Sequence, residues 1–444
     1  MPLLFEYGNW ESIKNKNALQ QMLQDIWKQK IFIAIDSDLT EEQSDKKYQP
    51  FLHLDGDSAR ANNYVGFIQN DDEIIEIYPK VFRNHLAKPT TDEKALMLRH
   101  IFYWFNYCRK WKFLFNQASL DTIDIVKFPE LIINLIANQF LETISKQPLI
   151  MYQEVEEALT VPKGAINFQR YISRSLSHGN FHRLECDYEP FLFDNKVNRI
   201  IKYCSRILMT QTRFSENLRM LQEVVFILDE VEDSYCTVHD IEKISLNSFF
   251  EDYSSLLDSC KLILSQKLYS SNTYDLSQWC LLFPMEYIFE DFVAGFLEEH
   301  FFSDWKVEYQ KSNEYLSNNP KVFNMQHDIY LTSKLSDKTV IIDTKYKLRA
   351  DNFKQDSKKG IAQADLYQMV SYAFKRGCAD IILFYPNLED KANEADRFEI
   401  VSDFDGKETV TVTAFEIPFT SLHDFENLDR KLKKHLERIL NNYH

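Results

Sequence analysis

Glycine and proline are scarce in this chain, nine and twelve residues out of 444. That scarcity argues against long flexible linkers and low-complexity tracts. It also excludes a phosphate-cradling G-x-x-x-x-G-K-[ST] loop, because no two of the nine glycines have that spacing before a lysine. Any nucleotide-driven motor acting here is therefore a separate polypeptide. Paired cysteines are lacking too. The seven, at 108, 186, 204, 236, 260, 280 and 378, form no C-x-x-C motif, and an odd number cannot be fully cross-linked within one chain. A reducing cytoplasm fits that pattern. No apolar run approaches the roughly 18–20 residues that span a bilayer. The opening MPLLFEYGNW has no basic stretch followed by a long apolar core. The expectation is a cytoplasmic protein with no membrane segment. Net positive charge is missing as well: 51 Lys and Arg against 67 Asp and Glu give −16. That argues against a general nucleic-acid coat protein. It leaves room for an enzyme that meets DNA through local basic patches and bound cations.

What is present is ordinary globular chemistry, 45% hydrophobic and 27% charged residues. The length suggests two or three domains. Residues 1–90 read as a β-rich domain, with strands at FIAID (32–36) and a hairpin across NYVGFIQNDDEIIEIYPKVF (63–82), where Pro79 stops the second strand. Residues 91–275 read as a mainly helical middle or docking region. Apolar residues recur at helical spacing in 93–111, 129–147, 195–211, 217–231 and 249–266. A strand-like or irregular insertion occupies 161–175. Residues 276–444 read as an α/β domain with a mixed sheet. A helix starts at Pro284, strands cover 306–311, 323–331 and 339–348, a helix over 364–377 stops at Gly377, and a strand follows at 380–386. The expected class is a multidomain α+β protein.

One constellation carries chemistry. In TVIIDTK, the apolar Val340, Ile341 and Ile342 bury a strand, and Asp343 and Lys345 emerge on one face at its end, because a strand has period two. Asp328 lies on the preceding strand, joined through the polar turn 333–338, so hairpin pairing brings it beside Asp343. Two buried carboxylates repel each other without a counter-ion. Mg²⁺ takes one or two carboxylates plus waters, and phosphodiester cleavage needs charge neutralisation and an activated water. A lysine nearby can orient that water or stabilise developing charge. The bare D-x-K pattern recurs at Asp92/Lys94, Asp194/Lys196 and elsewhere, but only Asp343/Lys345 ends an apolar strand with an acid on the strand before it. The alternative is a strand-end salt bridge. Glu286 and Glu290 share a helix face, and Glu290 is a candidate third metal ligand; a solvated acidic face is the other reading. Gln368, on a face with Tyr372, can contact phosphate, base or water, or simply sit at the surface. Lys345, Lys347, Arg349, Lys354, Lys358 and Lys359 form a basic stretch after the strand. Arg430, Lys431, Lys433, Lys434 and Arg438 read as a solvated helix face.

The run HDIYL…VIIDTKYK…DLYQMVSYA…IILFYP resembles the C-terminal nuclease domain of the McrC family, the endonuclease subunits of McrBC modified-cytosine restriction systems. Upstream, VPKGAINFQRYISRS and CDYEPFLFDNKVNRIIKYCSRIL resemble further segments of that family, and YVGFIQNDDEIIEIYPKV resembles the N-terminal β region of its longer members. The resemblance implies a PD-(D/E)xK nuclease with Asp328, Asp343 and Lys345 as the catalytic D…D-x-K and Gln368 as the glutamine of the following helix. His327 stands where the motif's name has proline, and its strand position points it away from Asp328. Mg²⁺ is the implied metal, held by Asp328, Asp343 and, weakly, Glu290. The implied partners are a hexameric McrB-like AAA+ GTPase, through which alone GTP enters, and double-stranded DNA containing modified cytosine. A stand-alone repair or mobile-element nuclease and a non-catalytic activator of a motor are the competing functions. Asp194, Asn195, Asn198 and Arg199 cluster at a helix start, where capping is the preferred role.

Overall fold

The computed structural model describes residues 2–29, 49–70, 73–84, 86, 88–109, 127–152, 154–246, 250–266, 278–349, 357–387, 395–401 and 409–444. The expected strand at 32–36 lies outside them, as does Lys354. The chain forms two compact units, Met1–Phe128 with Cys280–His444, and Pro129–Trp279. Boundaries at 90 and 275 follow changes in periodicity. Compactness instead groups the first segment of the chain with the last.

The first segment contributes β1 (Leu3–Phe5), β2 (Glu11–Ser12), α1 (Lys16–Gln29), β3 (Leu52–Asp55), β4 (Ser58–Ala61), β5 (Tyr64–Asn70), β6 (Glu73–Tyr78) and α2 (Thr91–Tyr107). β5 and β6 make the antiparallel hairpin read from sequence, and β6 stops before Pro79. β1 adds to β6 in parallel. Thr90 starts α2 with a reciprocal capping box to Glu93.

The middle unit holds nearly all of α3 (Phe128–Lys146), then β7 (Met151–Tyr152), β8 (Val155–Leu159), β9 (Ala165–Ile166), β10 (Leu184–Tyr188), β11 (Phe191–Leu192), α4 (Lys196–Gln211), α5 (Ser215–Ile227), α6 (Val238–Glu242) and α7 (Glu251–Gln266). Asn195 caps α4: its Oδ1 accepts from Asn198 N at 3.1 Å and its Nδ2 donates to Leu149 O at 3.0 Å. Arg199 forks onto both oxygens of Asp194 at 2.7 Å. The cluster at this helix start is therefore structural. In the 161–175 stretch only β9 is strand. From Phe168 the chain coils into helical turns, because Asn167 Oδ1 accepts from Arg170 N at 3.1 Å and caps them.

The last segment begins with β12 (Gln278–Pro284), which extends the first sheet to the order β1-β6-β5-β12. Here Gly66 has φ +139°, and a Cβ on it would lie 2.0 Å from Leu281 O, so β5 and β12 approach through a position only glycine can fill. α8 (Met285–Phe301) follows, with Pro284 at its start. The second sheet is built from β13 (Trp305–Asn318), β14 (Lys321–Ser333), β15 (Thr339–Thr344), β16 (Asp380–Asn387), β17 (Asp396–Val401) and β18 (Thr409–Pro418). Its order is β13-β14-β15-β16-β18-β17. β15, β16 and β18 run parallel and the outer pairings are antiparallel, which makes the sheet mixed, as the sequence pattern suggests. Parallel neighbours need a crossover, and α9 (Gln363–Arg376) lies between β15 and β16 in the chain. Its Met369, Tyr372 and Ala373 share a core with Ile341, Ile381, Leu383, Val412 and Ala414. Gly377 ends α9 at φ 64°. α10 (Leu428–Leu440) buries Leu428, Leu432, Leu436, Ile439 and Leu440 and leaves Arg430, Lys434 and Arg438 exposed.

Candidate active site

β14 and β15 bring the two aspartates together. Their ladder runs from Thr332↔Thr339 to Ile329↔Ile342, and one further step reaches Asp328 and Asp343. Asp343 ends an almost wholly buried strand and is 3% exposed. Burial, then the negative charge of Asp328, raises its pKa to about 7. Burial also raises Asp328, although Thr344 opposes this: its backbone N–H and its hydroxyl donate to Asp328 Oδ2 at 2.7 and 2.9 Å.

Lys345 answers the pair. Its Nζ sits 2.7 Å from Asp343 Oδ2. Burial works against its positive charge, but the carboxylates of Asp343, Asp328 and Asp365 outweigh that and hold its pKa above the ordinary lysine value. Its backbone N–H donates to Phe384 O at 2.8 Å, so the lysine is anchored to β16 as the chain leaves β15.

Two neighbours escaped the sequence reading. Asp365, in the first turn of α9, lies 3.9 Å from Lys345 Nζ and 2.9 Å from Lys347 Nζ. An acid in a first helical turn is commonplace, which hid it. Tyr385, on β16, is 1% exposed, and its hydroxyl has no hydrogen-bond partner among the described residues. Burial and the charges of Asp365 and Asp343 push that phenol up to about 12.

The remaining sequence candidates make other contacts. Gln368 is exposed and its amide donates to Tyr372 OH at 3.2 Å. Tyr372 packs edge-on against His327, 4.9 Å between centroids. His327 is fully buried and takes a hydrogen bond from Arg376 Nε, which is a packing role. Arg349 is also internal, 2.7 Å from Asp396 Oδ2 and donating to Lys359 O. Lys347 and Lys358 remain on the outside. Glu286 is exposed and Glu290 half-buried on α8. Among the described residues, no group of three or more His, Cys, Asp or Glu side chains is placed to hold one metal ion. The aspartate pair by itself still suits Mg²⁺. It offers two hard oxygen donors, both destabilised as anions by burial and Asp343 also by Asp328, and Mg²⁺ completes its shell with waters.

Among the described residues, no helix is long and apolar enough to cross a membrane. Comparison with solved structures gives the same overall fold at low identity. One chain of a half-complex from the tetradecameric assembly of Thermococcus gammatolerans McrB AAA+ hexamers with bound McrC is 17% identical. The match covers 98% of this chain and 99% of that one, with a TM-score of 0.65. A chain of the Thermococcus gammatolerans McrBC complex is 20% identical, over 68% of this chain and 88% of that one, with a TM-score of 0.48. No curated protein matches. The model of the family described as "McrBC 5-methylcytosine restriction system component" matches residues 59–386, about three quarters of the sequence, and the chain belongs to that family.

Proposed function

We propose that this chain is the McrC-type, Mg²⁺-dependent DNA endonuclease of a modification-dependent restriction system, with a nuclease site of the PD-(D/E)xK type. The observation that carries the reading is the Lys345–Asp343 pair, 2.7 Å apart at the end of β15, with Asp328 beside it on β14. Asp328 and Asp343 would hold the metal. When bound, Mg²⁺ supplies positive charge against the phosphate and lowers the pKa of a coordinated water. Thr344 fixes one oxygen of Asp328 through two hydrogen bonds and leaves the other free to act as a ligand. Lys345 stays protonated among three carboxylates, so it acts as a fixed cation that can orient a water or the phosphate and offset charge as the phosphate is attacked. Lys347, exposed and a short step along the chain, extends that positive surface toward a DNA backbone.

The middle unit is the docking half of this reading. It exposes Tyr152, Val161, Phe168, Ile172, Phe181 and Phe191, each more than half accessible, within about forty residues of sequence. A McrB-like AAA+ GTPase is the partner we assign to that surface, with double-stranded DNA containing modified cytosine as substrate. The seven cysteines are free and buried, in keeping with a cytoplasmic protein.

The test combines the full chain with the AAA+ GTPase of the same host, Mg²⁺, GTP, and duplexes with or without 5-methylcytosine. The expected outcome is cleavage of the methylated duplex that EDTA abolishes. Intact methylated DNA under these conditions, with GTP being hydrolysed, would overturn the endonuclease reading.

A further inference from the structure

The residue after the catalytic lysine is held by groups from the opposite end of the chain. Tyr346 is 3% exposed, and its hydroxyl donates to Glu6 Oε2 at 2.9 Å. Lys80 grips the same residue twice. Its Nζ donates to Tyr346 O at 2.8 Å and lies 4.1 Å from the centre of the Tyr346 ring. The backbone N–H of Lys80 donates to Glu6 Oε2 at 3.0 Å, which closes the arrangement. Phe289 and Phe419 pack against the Tyr346 ring from 5.9 and 6.2 Å. Glu6 is fully buried, and its Oε1 has no partner among the described residues. Burying the Glu6 carboxylate is costly, and the half-buried Lys80 supplies the charge that faces it.

We infer that Glu6, Lys80 and Tyr346 form a clamp that positions Lys345, so that the N-terminal β-segment is part of the nuclease's working geometry although it contributes no group to the reaction. Lys345 lies beyond the last ladder pair of β15, and apart from the local turn in which Lys347 N–H donates to its carbonyl, two attachments hold it to the rest of the fold. On one side its N–H is bonded to Phe384 O. On the other the chain passes directly into the clamped Tyr346. Loosening the second attachment lets the Nζ drift from Asp343, and a displacement of about 1 Å in a catalytic group lowers rates on the order of 100-fold. The inference rests on the endonuclease reading for its effect on cleavage, but the position of Lys345 can be read without it.

The experiment uses the full chain carrying Tyr346→Phe, Lys80→Met or Lys80→Arg. Single-turnover cleavage is measured with the partner GTPase and methylated DNA. In parallel, the reactivity of Lys345 toward a trace acylating reagent is measured by mass spectrometry. Tyr346→Phe and Lys80→Met are expected to slow cleavage about 10- to 100-fold. DNA affinity should hold, and Lys345 should become several-fold more reactive. Lys80→Arg, which can still donate to the carbonyl and face Glu6, should recover most of both signals. The clamp is refuted if folded Tyr346→Phe and Lys80→Met proteins cleave within twofold of the parent with unchanged Lys345 labelling, or if Arg and Met at position 80 behave alike. If the parent chain does not cleave at all, the endonuclease reading fails, and the labelling pattern alone decides the clamp. A melting temperature far below the parent's in Lys80→Met passes the decision to Tyr346→Phe, which removes one oxygen and keeps the ring.

Discussion

The two compact units handle charge differently. In the middle unit polar groups meet matching partners, near in sequence for Asn195, Arg199 and Asn167 and far in sequence for Asn134 with Asn217 and Ser259 with Gln139. Its large apolar side chains are what reach the solvent. In the other unit like charges crowd together inside, where the carboxylates of Asp328, Asp343 and Asp365 surround Lys345 at the end of β15. On the function proposed above, one unit serves contact and the other chemistry. A group buried at a cost with no local purpose is a better pointer to catalysis than any exposed charge.

The sharpest way to break this contrast is Asp343→Ala. Cleavage is expected to fall by about 10²–10³-fold or more, the scale of removing one key electrostatic group. Stimulation of the partner GTPase should survive, because the substitution lies outside the docking unit. A parallel loss of both activities in a folded protein would collapse the division into contact and chemistry.

Acid should weaken the unit that carries the aspartates, through His100. His100 is buried, with Nδ1 facing Leu96 O at 2.8 Å and Nε2 accepting from Ser421 N at 3.0 Å, an arrangement that needs the neutral ring. Burial lowers its pKa from 6.5 to about 4. The unfolded chain therefore takes up this proton first. Stability is complete above pH 6.5, is lost as the pH falls from 6.5 toward 4, and changes no further from this group below that. The full difference is about 3 kcal/mol. Subtracting the unfolding free energy of His100→Gln from that of the parent across this window isolates the effect. A flat difference would show that His100 is not held neutral.

The mildest prediction concerns the edge of the site. Lys347 has a side chain 56% accessible, and its ion pair with Asp365 is screened by water. Lys347→Ala should weaken DNA binding less than tenfold, for every sequence alike, and reduce the slope of log affinity against log salt by about one. An unchanged slope would remove Lys347 from the DNA-facing surface.

Much of the chemical core was legible because it is local. Three apolar residues followed by D-x-K, a polar turn before them and an acid on the preceding strand are all contained in residues 328–345. Pro284 and Gly377 marked helix ends for equally local reasons. Asp365 was missed because its type and position have a common innocent explanation. The Tyr346 clamp was illegible for another reason: its partners are 340 and 266 residues away, and periodicity says nothing about such separations. The pairing of β12 with β5 belongs with it, since a short apolar run does not name the strand it will join.

That distant pairing sets a timetable for synthesis. The unit that carries the aspartates is opened after Phe128 and resumed at Cys280. A ribosome adding 5–20 residues per second needs roughly 8–30 s for the intervening stretch. Throughout that interval the β5 edge has no β12, and Glu6 and Lys80 have no Tyr346. The middle unit is contiguous and can fold while the chain is still growing. On the reading proposed above, any product truncated before Tyr346 lacks the clamp and should be silent, and the contiguous middle unit is complete before the split unit is.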